Sequence, residues 1–168
     1  MKNRNVLFLT QAAMIAAIYV VLTFIANAFG LANYAIQVRF SEALTILPFF
    51  TPAAIPGLFI GCLLSNILTG CAFPDIIFGS LATLLGALGT YALRNWKWCA
   101  PICPIIANAI IVPLVLIYGY GLLIEGFSVL QCFGYYCLTV GAGEIISCGV
   151  LGMILLYTLK NYREKLFP

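Results

Sequence analysis

The sequence predicts an all-α membrane protein, a compact bundle of six transmembrane helices with both termini in the cytoplasm. Three observations carry this. Hydrophobic residues make up 64% of the chain and charged ones 8%, against about 25% charged in a soluble domain, so lipid rather than water must cover most of the surface. The apolar residues come as long continuous runs, not as the alternation of a membrane barrel, and helices then satisfy the backbone within each segment. The basic residues cluster, and the clusters share one side of the membrane when the chain crosses six times.

The elements follow in order. Residues 6–29 form the first helix. Lys2 and Arg4 before it, and Ala26-Asn27-Ala28 near its end, look like a signal peptide. The run is longer than an h-region of about 7–15 residues, however, and fits an uncleaved span of about 20. Residues 30–38 read as a loop. The second span, 39–50, is short and polar at its start. Thr51-Pro52 and Pro56 interrupt the chain, and the third helix runs to about residue 69. Residues 70–75 read as a tight loop and 76–93 as the fourth helix. A basic connection, 94–97, leads to a fifth helix over 101–120 with Pro113 inside it. After a loop at 121–129 the sixth helix starts between residues 130 and 141 and ends near 159. The whole of 1–168 reads as one domain, without a nucleotide-binding unit.

Six crossings put Lys2, Arg4, Arg94, Lys97, Lys160, Arg163 and Lys165 inside, and leave Arg39 alone near the outer face. Five or seven crossings would strand one basic cluster on the wrong side. Glu42, Asp75, Glu125 and Glu144 fall on or near the outer side.

Composition excludes several functions. A net charge of +3 is too small to suggest nucleic acid. Seven scattered Cys with no His give neither a disulfide framework nor a zinc site. There is no glycine-rich phosphate loop and no Ser/His or Cys/His arrangement. The chain therefore reads as a non-enzyme without a cofactor of its own. If it transports actively, another chain hydrolyses the ATP.

Small residues mark contact surfaces. Ala12, Ala13, Ala16 and Ala17 form two overlapping Ala-x-x-x-Ala pairs on the first helix, a spacing that lets another helix approach closely. The approaching helix belongs either to this bundle or to a partner subunit. Gly57, Gly61, Ser65 and Thr69 form a stripe on the third helix that reads as internal packing.

Ionisable and amide side chains in a membrane are candidate site residues, because they are costly to place there. Glu42, Asn66, Asn108 and Glu144 stand out. Arg39 and Glu42 are also spaced to pair as helix neighbours. Arg39 cannot neutralise both Glu42 and Glu144, so at least one carboxylate seeks water or a ligand donor. A carboxylate offers only acceptors and wants N–H groups. Tyr34, Phe73, Tyr118, Tyr120, Tyr135 and Tyr136 crowd the outer ends of the helices. They suit a flat heterocycle or an ordinary aromatic belt.

The stretch Gln37-Val38-Arg39-Phe40-Ser41-Glu42-Ala43-Leu44-Thr45-Ile46-Leu47-Pro48-Phe49-Phe50, continuing through Thr51-Pro52-Ala53-Ala54-Ile55-Pro56-Gly57 to Asn66, resembles the QueT family. The alanine-rich first helix and Gly143-Glu144 resemble it too. These are S components, the substrate-binding subunits of energy-coupling factor (ECF) transporters. The resemblance implies a bacterial cytoplasmic-membrane protein with a pocket near the outer face, closed by the first loop and the loop after helix three. It implies that the alanine surface docks a transmembrane coupling subunit, and that two cytoplasmic ATPases drive a cycle in which the S component topples. The implied substrates are queuosine precursors, 7-deazaguanine bases such as queuine. On that implication Glu144, or else Glu42, accepts the N–H groups of the base edge, and Asn66 and Asn108 read its carbonyl and ring nitrogens. Tyr34, Phe73 or Tyr118 stacks, and a second carboxylate suits a cationic aminomethyl group. The residues leave room for other readings: an S component for another flat heterocycle or a vitamin, a channel, or a ligand-free membrane assembly protein.

Overall fold

The computed structural model describes residues 4–30 and 38–162. Among them every regular element is helical. Four helices are long and apolar enough to cross a membrane. The first is α1, Arg4–Ala28, with no Gly or Pro to interrupt it. It stops at Gly30, whose φ of 70° suits a left-handed C-terminal residue. The second is α3, Phe73–Ala92. The third is α4, Ile102–Leu114, extended by a π-helical turn over Val115–Gly119. Pro113 lacks the N–H that the preceding turn would accept, and the helix widens just beyond it. The fourth runs from Val129 to Lys160 as α5 (Val129–Glu144), a π-helical stretch (Ile145–Leu151) and α6 (Gly152–Lys160). A capping box between Ser128 and Gln131 starts it.

Two shorter apolar helices complete the bundle. Phe40–Phe49 is a 3₁₀ helix rather than the α-helix expected. At about 2.0 Å per residue, its ten residues reach further than an α-helix of that length, yet less than a hydrocarbon core of about 30 Å. Every residue from Ser41 to Pro48 is buried. The segment touches α1, α2, α3, α6 and the Ile145–Leu151 stretch, which makes it the axis of the bundle. Helix α2, Ala54–Leu68, carries Pro56 in its first turn, where no helical N–H is lost. Helix α3 begins at Phe73, inside the expected loop. Pro74 lies at the start of the helix, where its fixed φ fits and its missing N–H costs nothing.

Helices α1 and α2 pack closely. A Cβ on Gly57 would lie 2.7 Å from the Ala12 carbonyl oxygen, and one on Gly61 would lie 2.8 Å from the Tyr19 Cβ. The glycine stripe thus meets Ala12 and Ala16 within the bundle, as small residues at this spacing allow. Around the core the surface is apolar: Leu9, Met14, Val21, Leu88 and Leu138 are all exposed, as lipid-facing side chains should be.

Candidate functional site

The polar residues gather in two layers toward the end of the bundle opposite the termini. The deeper layer is a hydrogen-bonded knot. Glu42, on the 3₁₀ segment, is 1% exposed. Its carboxylate accepts the Tyr19 hydroxyl of α1 and, at 3.3 Å, the Asn108 amide of α4. Glu144, at the end of α5, accepts the Cys148 thiol at 3.0 Å. Cys148 also lies 3.3 Å from the Glu42 carbonyl. Buried acids need such partners, since an unpaired charge in an apolar interior costs several kcal/mol. Donor atoms of Glu42, Glu144 and Cys148 lie within 4.8 Å of one another, the spacing of a metal site, but each residue already has a protein partner.

The upper layer is a cavity of about 420 Å³, toward the lower end of the usual range for small-molecule sites. Arg39, Asn27, Asn66, Asp75, Tyr120 and the apolar Val112 help to line it. Each polar one comes from an element end. Asn27 closes α1, Arg39 precedes the 3₁₀ segment, and Asn66 lies in the last turn of α2. Asp75 is in the first turn of α3, and Tyr120 follows the π turn. Gly119 lets that turn sit on Pro74; a Cβ there would be 3.0 Å from the Pro74 Cβ. The approach brings the Tyr120 hydroxyl to Asp75, where it donates to Oδ2 at 3.1 Å and accepts the Ala72 N–H at 3.0 Å. Burial pushes the Tyr120 hydroxyl up to about 12, and the Asp75 charge adds to the rise. The phenol therefore stays a donor at neutral pH.

Asp75 is 6% exposed, and among the described residues its Oδ1 has no hydrogen-bond partner. That oxygen lies over Gly79, where a Cβ would be 2.9 Å from Oδ1 and 3.2 Å from the Asn66 amide nitrogen. Arg39 is anchored through its backbone N–H to the Ser147 hydroxyl at 3.2 Å. Among the described residues its guanidinium makes no hydrogen bond and no ion pair with Glu42 or Asp75.

Of the expected site residues, Arg39 and Asn66 line the cavity. Glu42, Asn108 and Glu144 come together beneath it and do not line it. Phe73 and Tyr118 are 72% and 75% exposed and line no part of it; Tyr118 borders a separate shallow groove with Val129 and Phe133. Tyr34 lies outside the described residues. Ala12 and Ala16 are buried against α2, whereas Ala13 and Ala17 are exposed. Sequence reasoning missed Asp75 and Asn27 as cavity residues and named Tyr120 only among the outer aromatics. The Pro74-Asp75 pair was the available signal, since Pro and an acid mark the first turn of a helix.

No solved structure matches the chain. A curated relative, "Queuosine precursor transporter QueT" of Lactococcus lactis subsp. cremoris (strain MG1363), is 35% identical over 98 residues, 58% of this chain and 57% of the relative. The aligned stretch thus spans little more than half the relative's length. The QueT transporter family matches residues 9–161, almost the whole sequence. The chain belongs to the QueT transporter family, a family of transporters rather than enzymes.

Proposed function

We propose that the chain is the substrate-binding membrane subunit of an ECF-type transporter that captures a queuosine precursor, a 7-deazaguanine base. The observation that carries this reading is the cavity: hydrogen-bonding side chains line about 420 Å³ at one end of an apolar bundle. A polar stripe running from face to face would instead suit a channel. Here the buried carboxylates stop at the Glu42 knot, and toward the termini the buried Thr51 and Thr90 hydroxyls are bonded within the protein amid apolar packing around Leu44, Leu47 and Leu58. Arg39 and the amides of Asn27 and Asn66 offer donors, and Asp75 offers an acceptor, which matches the mixed edge of a guanine-like base.

In this reading the chain crosses the bacterial cytoplasmic membrane six times, with both termini inside and the cavity at the outer face. The chain needs no cofactor, and separate ATPases supply the energy. A transmembrane coupling subunit docks on the exposed Ala13 and Ala17 side of α1. Ala12 and Ala16 serve the same contact indirectly, by holding α1 against α2.

Ligand binding by the purified, detergent-solubilised chain tests the proposal, with queuine, an aminomethyl-deazaguanine, guanine and thiamine as the panel. Submicromolar binding of a deazaguanine with much weaker guanine binding supports it. Binding of thiamine alone, or of none by a folded sample, overturns the substrate assignment.

A further inference from the structure

Both tryptophans of the chain, Trp96 and Trp98, stand in the short connection between α3 and α4, together with Arg94 and Lys97. Both indoles are exposed. The connection is not slack. Trp96 donates its N–H to the Leu93 carbonyl, and Cys99 donates its own to the Trp96 carbonyl, each at 2.8 Å, so consecutive tight turns run along it. Ala100 pins its far end. The Ala100 carbonyl accepts the Thr90 hydroxyl of α3 at 2.8 Å, and the residue is buried beside Ile46 and Leu156. Aromatic rings place the two cations. The Arg94 guanidinium lies 4.1 Å from the centre of the Tyr91 ring. The Lys97 ammonium lies 5.6 Å from the centre of the Trp98 ring and 5.4 Å from that of Tyr157 on α6. Those two rings meet edge to face at 6.1 Å.

A cation over a ring face keeps its N–H donors for other partners. Among the described residues no carboxylate takes them up. The described acids, Glu42, Asp75, Glu125 and Glu144, lie toward the other end of the bundle. Two positioned charges therefore stand at the membrane boundary without a protein counter-ion among these residues. Exposed tryptophans mark the headgroup level of a bilayer, and phosphate is the anion within reach there. We propose that the α3–α4 connection binds the headgroup of an anionic phospholipid, in the leaflet on the side of the termini. Arg94 and Lys97 hold the phosphate, and Trp96 and Trp98 sit among the ester groups and upper acyl chains. A zwitterionic lipid fits less well, because its own ammonium would meet two cations and no carboxylate. The inference needs only that the chain spans a membrane and is independent of the substrate.

Fluorescence quenching tests this directly, because the chain has no tryptophan outside the connection. The full chain is reconstituted in phosphatidylcholine vesicles that carry, at one fixed mole fraction, either phosphatidylglycerol or phosphatidylcholine brominated on the acyl chains. Brominated phosphatidylglycerol should quench more strongly, with a relative affinity of about fivefold or more, the scale of one cation at a lipid surface. The Arg94→Gln, Lys97→Gln double variant should lose that preference and keep the quenching by phosphatidylcholine. Arg4→Gln, which removes a charge from the start of α1 instead, should keep the preference. Equal quenching of wild type by the two lipids overturns the proposal. So does an equal loss in Arg4→Gln, which would mark a diffuse field rather than a site. Loss of the preference with millimolar inorganic phosphate, but not with chloride at the same ionic strength, would mark a site for soluble phosphate and overturn the lipid assignment. If the double variant does not fold, the wild-type ratio and the single variant Lys97→Gln decide.

Discussion

Replacing Gly79 with Ala should separate ligand binding from stability. The new Cβ would sit 2.9 Å from Asp75 Oδ1 and 3.2 Å from the Asn66 amide nitrogen. Both atoms end side chains, so they can give by a few tenths of an ångström without moving a helix. Side-chain displacement of this kind costs about 0.5–1.5 kcal/mol. Alanine in place of glycine inside a helix returns roughly 0.5–1 kcal/mol. The terms nearly cancel, and the melting temperature in detergent should stay close to wild type. Binding should not survive so well, because Asp75 and Asn66, the two side chains displaced, both line the cavity. Losing one charge-assisted hydrogen bond costs about 1.5–3 kcal/mol, a weakening of about tenfold to a hundredfold. Calorimetry with the tightest-binding deazaguanine of the panel reads the loss, and a thermal melt reads the fold. Wild-type affinity in a folded Gly79→Ala sample would refute the reasoning, because neither Asp75 nor Asn66 would then take part in binding.

The same substitution one helix earlier should do the reverse: Gly57→Ala drives a Cβ to 2.7 Å from the Ala12 carbonyl, must part α1 from α2, and should cost about 1–3 kcal/mol, seen as a lower melting temperature. Leucine at Ala13 and Ala17 should leave ligand affinity intact and abolish ATP-driven uptake with the coupling module, whereas leucine at the buried Ala12 should prevent folding, as judged by size-exclusion behaviour. Glu144→Gln should leave deazaguanine affinity unchanged, since Glu144 does not line the cavity. The folded-state value of about 12 for Tyr120 is raised above the ordinary value of about 10, so the contribution of its hydroxyl is complete below pH 10 and is lost as pH rises through 12. A difference titration of tyrosinate absorbance between wild type and Tyr120→Phe should show this phenol ionising near pH 12 rather than near 10.

The contrast between Glu42 and Asp75 shows which parts of this site a sequence carries. Glu42, Asn108 and Glu144 announce themselves because each interrupts an apolar run, and polar groups at membrane depth need a reason. Their type is local information. Their assignment to the knot is not, since it depends on contacts such as that between Asn108 and Glu42, 66 residues apart. Asp75 is hidden for a different reason. It follows Gly70, Pro74 and a Cys in a stretch with the composition of a turn, and an acid in the first turn of a helix already has an explanation in the helix dipole. Only the Tyr120 contact, 45 residues away, and the cavity that Asp75 shares with Arg39 and Asn66 reveal its place in the site. The 3₁₀ segment escaped for a related reason. With all its faces buried, Phe40–Phe49 shows no periodicity to distinguish one helix type from another, and its neighbours set its geometry. In a lipid-bound bundle, then, residue type identifies the polar inventory, while the split between structural knot and binding cavity is decided by which helix ends meet. That places the informative residues at element boundaries, where Arg39, Asn66, Asp75 and Tyr120 all lie, and where sequence patterns are weakest.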